Sequence, residues 1–533
     1  MLRAGLLLVG LAYLASYIGV AVARMRAPFD LEWLEGGSVA NVREVMLGHQ
    51  IYQRPSLHFM PFIYTPLYYY VSAAVSHVLG LGYFPLRLVS FVASLAAFAT
   101  IAWWVAKETG DRWAGAMAAC LFAACFRIGG AWFDLARVDS LFMALLLAGL
   151  AVGRFVRSPK GAAGAAVLLT LAMLTKQEAI VPALAVAPFL WRTQRRLGVV
   201  FLGAFGAGLA LSTIVLQWAS SGWYLAYVVG LPASHKLLGT EAVGFWTADV
   251  APVSAALLLG ATGLAVLVRR RRSEVPSTEP TSEPPAPSIE PVASAEVTGV
   301  PSGPSAAWFY VPVLGALAAV AWVGRLHSGG YDNVLLPGYA AAAILCGIGL
   351  SVWCPRPGPR AGVTRAAPGR RAAPFLAGLV MLAQLALLAY DPIAQVPTAA
   401  DHRAAARLVT QLHELHGTVY LPGHPWYLVL AGKKPSAQSA AVADVLRGPV
   451  GPARRSLQRA LDLAIADQRF DNVVTDSMPW LNYLPKAFTR YYRRDHRIAA
   501  PGRALLSRTG IPTRPLDVWV PRAGVGRHTD RAD

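Results

Sequence analysis

The sequence predicts a mainly α-helical polytopic membrane bundle of about eleven spans, with interfacial helices in the first outer loop and a small C-terminal α/β domain outside the cytoplasm. Three observations carry this expectation. Only 14% of the 533 residues are charged while 55% are hydrophobic, whereas an ordinary soluble domain carries about 25% charged residues. Apolar stretches close to the ~20 residues that a spanning helix needs recur along most of the chain. Basic residues cluster between alternate stretches, as they do in cytoplasmic loops. That placement accounts for the formal net charge of +19 and argues against nucleic acid as a partner.

The stretches 4–23, 86–106, 112–128, 139–156, 198–218, 249–268, 306–324, 334–353 and 374–390 each read as one span. The first lacks a small-residue cleavage site and reads as retained rather than as a removed signal peptide. The stretch 161–191 is too long for one span and too short for two full ones. Arg154, Arg157 and Lys160 precede it and Arg192, Arg195 and Arg196 follow it, so both flanks are cytoplasmic and the segment is a hairpin. Each leg then has about 14 residues and rises about 21 Å, against a hydrocarbon core of about 30 Å. The apex, Thr175-Lys176-Gln177-Glu178, therefore sits below the outer interface, where charges are costly and mark function. Lys107 and Arg112, Arg269 to Arg272, and Arg356, Arg360, Arg365, Arg370 and Arg371 fall on the same side as the hairpin flanks. This puts the N-terminus in the cytoplasm and the C-terminus outside. Arg24 and Arg26, just after the first span, are the exception.

The chain divides into a transmembrane module at 1–268, with its first outer loop at 24–85, a linker at 269–305, further transmembrane helices at 306–391, and an extracytoplasmic α/β domain at 392–533. The linker is rich in Pro, Ser and Glu, has no apolar period, and reads as disordered and cytoplasmic. In the last segment, helical patterns at about 400–416 and 453–469 alternate with strand candidates at Thr418–Leu421 and Asn472–Thr475. Cys120, Cys125, Cys346 and Cys354 lie in or beside apolar stretches without ligand spacing and read as packing residues.

Polar residues gather in four outward groups. The first loop carries Asp30, Glu32 and Glu35, an amphipathic run from Ser38 to Gly48, and the aromatic run Tyr64 to Tyr70, which suits a helix lying in the interface. The second group holds Asp134, Arg137 and Asp139; capping of the next helix by Asp139 and Ser140 is the alternative reading. The third is Lys176, Gln177 and Glu178, where the alternative is a structural ion pair. The fourth, Arg325, His327 and Asp332 in a glycine-rich run, could instead be a solvated turn. All four fall on one side of a topology derived from loop charge alone. A carboxylate among Asp30, Glu32 and Asp139 can take a proton from a hydroxyl nucleophile, while Arg137, Lys176 and Arg325 hold a phosphate leaving group, which at this depth belongs to a lipid. His424 reads as a packed turn residue rather than a carbohydrate contact.

The ordered set Asp30 to Glu35, Gly48-His49-Gln50-Ile51-Tyr52, Tyr64-Thr65-Pro66-Leu67-Tyr68, Ala136-Arg137-Val138-Asp139-Ser140 and Leu174-Thr175-Lys176-Gln177 resembles the GT-C glycosyltransferases of the protein O-mannosyltransferase-like and aminoarabinose transferase type. The likeness covers about the first 220 residues, and the architecture to 391 more loosely. The resemblance implies an inverting transfer of a sugar from a polyprenyl-phosphate carrier to a glycan, lipid or protein hydroxyl on the periplasmic face of a bacterial inner membrane. It implies a base in the first outer loop, matched best by Asp30 with Glu32 and Glu35 as rivals, since this run departs from the family's tighter Asp-Glu pair. Asp139 matches the second acidic position, and Arg137 and Lys176 match positions that hold phosphate or orient the site. Glu35, Tyr64, Asp134, Gln177, Arg325, His327 and Asp332 complete the expected substrate-binding set. Some relatives use a divalent metal, Mg or Mn; Asp30, Glu32, His49 and His58 are the available donors, without a specific ligand spacing, and no other cofactor is expected. The competing readings are a transporter or flippase for a lipid-linked solute and a noncatalytic envelope assembly protein. A transporter would carry polar residues near mid-bilayer and internal repeats, and no repeat is visible.

Overall fold

A helix covers most of every apolar stretch named above. The computed structural model describes residues 1–273, 306–356, 368–499 and 505–525. Its first nine helices are α1 (Leu2–Arg24), α2 (Glu35–Met46), α3 (Leu67–Leu79), α4 (Tyr83–Thr109), α5 (Arg112–Ala124), α6 (Asp139–Phe155), α7 (Pro159–Met173), α8 (Ile180–Thr193) and α9 (Arg195–Ala219). The helices Ser254–Ser273, Ala307–Leu326, Leu336–Trp353 and Pro368–Leu387 complete the apolar set. Among the described residues, Leu2–Arg24, Tyr83–Thr109, Arg195–Ala219, Glu241–Leu267, Ala307–Leu326 and Asp332–Trp353 are long and apolar enough to cross a membrane, and three other apolar helices are shorter. The chain is a multi-pass membrane protein.

One apolar core, with Trp104, Phe122, Phe133, Leu146, Leu169, Phe309 and Ile344, runs through the bundle. Helix Ser254–Ser273 packs backbone to backbone on Leu336–Trp353: a Cβ on Gly263 would lie 2.4 Å from the Gly349 Cα. Small residues give lipid-embedded helices this approach. The hairpin has the short legs expected of it, 15 residues in α7 and 14 in α8. Of the expected linker, the residues up to Ser273 continue a helix; 274–305, like Arg360 and Arg365, lie outside the described residues.

The two ends of the bundle differ chemically. At one end Arg3 binds Asp111 (2.6 Å), Arg154 binds Glu108 (2.9 Å), and Lys107 lies over the rings of Trp103 and Phe155. At the other, the hairpin apex meets the segment between α1 and α4, where the Leu67 N–H donates to the Leu174 carbonyl (2.8 Å) and the Thr65 hydroxyl to the Met173 carbonyl (2.8 Å). α1 spans both ends, with Arg3 at its start and Arg24 at its finish. The exceptional cation there is not a free charge: Arg24 is fully buried on Asp134, donating from Nε at 2.6 Å, and Arg26 lies over the Phe84 ring. Asp134, expected in the substrate-binding set, has its carboxylate paired with this Arg24 guanidinium.

The C-terminal part forms a four-stranded sheet, β1 (Val419–Tyr420), β2 (Asn472–Asp476), β3 (Tyr492–Arg497) and β4 (Pro515–Pro521), in the order β1-β2-β4-β3. β1 and β2 run parallel and the other pairs antiparallel. The predicted strands and the helices Ala399–Glu414 and Pro452–Ala466 are where the pattern put them. Neither β3 nor β4 was predicted; β3, as an edge strand, exposes every residue after Tyr492 and so lacks the alternation that signals a strand. The sheet is not a separate body, because Phe29, Leu31 and Trp132 share one core with Leu408, Leu421, Leu428 and Val474.

Candidate active site

The site begins with the chain between α1 and α2, which three carboxylates shape. Glu35 lies fully buried against the Arg87 guanidinium, which donates from Nε to Oε1 (2.9 Å) and from Nη2 to Oε2 (2.6 Å). Its oxygens also accept the N–H groups of Leu31 (2.7 Å) and Ala136 (2.8 Å), while Arg87 further donates to the carbonyls of Ala27 and Phe29, both at 2.7 Å. Asp30 accepts the Gly36 N–H (2.9 Å) at the start of α2 and pairs with His424 Nδ1 (2.8 Å). Both carboxylates face protein. Glu32, between them, lines a cavity of about 570 Å³, within the usual range for small-molecule sites. One Glu32 oxygen accepts the Leu34 N–H (3.1 Å) and the other has no partner among the described residues. Burial pushes its carboxyl up to about 8, against the opposing pull of Arg137.

Arg137 projects into the same cavity from the turn before α6. It donates to the Tyr64 hydroxyl (3.2 Å) and lies over the rings of Phe62, Tyr64 and Trp132, while Nε and Nη1 have no partner among the described residues. Lys176 ion-pairs with both Asp139 (3.1 Å) and Glu178 (2.9 Å). Asp139 Oδ1 also accepts from Asn333 Nδ2 (2.9 Å), and its second oxygen has no partner among the described residues. No side chain caps α6, so Asp139 does not act as the helix cap. Gln177 anchors the apex by donating to the Ile63 carbonyl (3.0 Å). His327 reaches the cavity wall and shares a hydrogen bond with the Pro232 carbonyl (3.0 Å).

The structure thus brings Glu32, Tyr64, Arg137, Lys176, Gln177 and His327 to one cavity, with Asp139 bound to Lys176 behind it. It does not bring Asp30, Glu35, Arg325 or Asp332 there. Asp30 is held by His424 and Glu35 by Arg87. Arg325 is held by Asp249 (2.7 Å) and Asp332 (3.0 Å), so its cation is already neutralised. The metal donors do not assemble either: His49 is exposed and pairs with Glu44 (2.9 Å), and His58 is exposed. Among the described residues no three His, Cys, Asp or Glu are placed to hold a metal ion. The four cysteines are free and buried.

Sequence reasoning missed the wall from the C-terminal part. Asp444 and Arg447, on the helix Ser439–Arg447, line the cavity together with Tyr483 and pair at 2.8 Å. Burial raises the Asp444 carboxyl to about 6, with Arg447 opposing. Their only signal was a three-residue spacing on a short amphipathic helix, which a solvated ion pair shows equally.

The helix bundle thus carries its polar site at one end, roofed by the segment between α1 and α4 and by the C-terminal α/β part. Residues 63–218 match the family described as Dolichyl-phosphate-mannose-protein mannosyltransferase. Over nearly its whole length the chain is similar in fold to ArnT from Cupriavidus metallidurans in the apo state, with a TM-score of 0.54, 14% identity, and coverage of 96% of this chain and 97% of that one. ArnT from the same organism bound to undecaprenyl phosphate gives a TM-score of 0.44 at 16% identity, covering 84% and 73%. The archaeal oligosaccharyltransferase AglB from Archaeoglobus fulgidus, in complex with an inhibitory peptide and a dolichol-phosphate, gives 0.48 at 12% identity, covering 87% and 69%. No curated protein sequence matches the chain.

Proposed function

We propose that this protein is an inverting glycosyltransferase that moves a sugar from a polyprenyl-phosphate carrier to a hydroxyl of a glycan, lipid or protein, on the periplasmic face of a bacterial inner membrane. The observation that carries this reading is one cavity holding a carboxylate oxygen, on Glu32, and guanidinium N–H groups, on Arg137, that have no partner among the described residues. Arg137 and Lys176 bind the carrier phosphate, and Asp139 fixes the Lys176 ammonium. Glu32 takes the proton of the acceptor hydroxyl as its oxygen attacks the anomeric carbon. The bond from that carbon to the phosphate oxygen breaks, and its electron pair leaves with the phosphate, whose new charge Arg137 stabilises. A single displacement of this kind inverts the anomeric centre. The basic loops at the opposite end of the bundle support an outward-facing site.

The test is transfer of radiolabelled sugar from a panel of polyprenyl-phosphate sugars by purified protein in lipid, with membrane extract as acceptor. The wild type is expected to incorporate label from at least one donor, and Arg137→Ala to lower kcat/KM by roughly 10²-fold, the usual loss of one preorganised donor. No incorporation from any donor, with uptake of donor into proteoliposomes instead, would replace this reading with transport.

A further inference from the structure

The acidic loop is tied down almost residue by residue from the C-terminal part of the chain. The Asp30 N–H donates to the Tyr427 hydroxyl (3.0 Å), the Leu31 carbonyl accepts the Thr509 N–H (3.0 Å), and the Trp33 carbonyl accepts from Gln438 Nε2 (2.8 Å). Glu32 lies in the middle of these ties. Beside them the His424 imidazole bridges two buried carboxylates, with Nδ1 2.8 Å from Asp30 Oδ2 and Nε2 3.1 Å from Asp476 Oδ2. His424 is 2% exposed and Asp30 1%, so water does not compensate either charge.

We propose that His424 is a positioning residue for the acidic loop: as a doubly donating imidazolium it latches Asp30 to Asp476 at the end of β2, and so holds the loop in the one shape that turns Glu32 into the cavity. This rests on the transferase reading for its kinetic consequence only. The latch is cationic because each ring nitrogen lies against a carboxylate oxygen, an arrangement that favours the imidazole form with a proton on both nitrogens. Burial works against the charged imidazole, but the hydrogen bonds to Asp30 and Asp476 outweigh it and raise the ring to about 9. The groups that face the triad are the Tyr427 ring, stacked on His424, the Tyr83 hydroxyl of α4 near Asp30, and the Glu35 carboxylate, which Arg87 holds. Neither tyrosine ionises near neutral pH. Asp30 transmits the latch because its other oxygen accepts the Gly36 N–H, fixing where α2 begins.

His424→Phe keeps a ring of similar size and removes both donors. In the full chain in nanodiscs, hydrogen exchange of the peptide covering 29–37 is expected to speed up at least tenfold, with the 139–155 peptide unchanged. In the transfer assay, kcat is expected to fall about tenfold or more with donor KM changed less than threefold. The acid limb of the pH profile moves down by a unit or more, because a loosened loop lets water reach Glu32. Asp476→Asn keeps the His424–Asp30 bond and should show the same changes in smaller size; it carries the test where His424→Phe does not accumulate. Unchanged exchange in both variants overturns the latch, as does a fall in kcat without faster exchange. Faster exchange in a protein whose wild type transfers no sugar from any donor keeps the latch and overturns the transferase reading.

Discussion

Glu32→Gln is expected to lower kcat by roughly 10²- to 10⁴-fold, the range attributed to a lost general base, while the protein accumulates normally. The amide retains an oxygen to accept the Leu34 N–H, so the loop keeps its hydrogen bond. In the wild type the base must be ionised, and with its carboxyl at about 8 activity should climb as pH rises to that value and level off beyond it. The same shift has a consequence for stability, opposite in sign to that of a salt-bridged carboxylate. Folded Glu32 holds its proton more tightly than the unfolded chain does. Its contribution is therefore fully present below the ordinary glutamate range and is lost as pH rises toward about 8. Glu32→Gln should remove that slope, and melting temperatures of the variant should exceed those of wild type at pH 8 and above. Retained transfer by this variant would exclude Glu32 as the base, and a lower melting temperature at high pH would refute the raised carboxyl.

The second large effect falls on folding. Arg87→Met removes the hydrogen bonds that one guanidinium makes to Glu35, Ala27 and Phe29 and strands a fully buried carboxylate. Breaking a buried pair from one side costs about 3–5 kcal/mol. The variant should be recovered as little or no monodisperse protein. Arg87→Lys should fare little better, because an ammonium cannot reproduce the fork that reaches both Glu35 oxygens and two carbonyls at once. The double variant Arg87→Met with Glu35→Gln should recover part of the loss, since a neutral amide is cheaper to bury and can still accept one of the two N–H groups that Glu35 now holds. A thermal midpoint for Arg87→Met within a degree of wild type would refute this account.

The hairpin was legible because three cations on each flank of 161–191 leave only one arrangement of its ends. The gathering of Arg137, Asp139 and Lys176 was legible because loop charge put all of them on one side. What could not be read was the choice among Asp30, Glu32 and Glu35. A loop has no period to assign a direction to successive side chains, and here direction comes from partners far along the chain: Arg87 lies 52 residues from Glu35, and His424 lies 394 residues from Asp30. His424 was expected to be a packed turn residue; it is buried, but as a charged bridge. Arg325 and Asp332 share a glycine-rich run, and only folding shows that Asp249 joins them in an ion-pair group of their own.

The cavity draws one wall from Glu32 and Arg137 and another from Asp444, Tyr483 and Ile511. Synthesis delivers these walls far apart in time. The bundle can insert and pack while the ribosome is still translating the C-terminal strands, and throughout that interval the cations stand open to water and Leu31 lacks its tie to Thr509. A nascent or prematurely terminated chain is thus an inserted protein with an unfinished site.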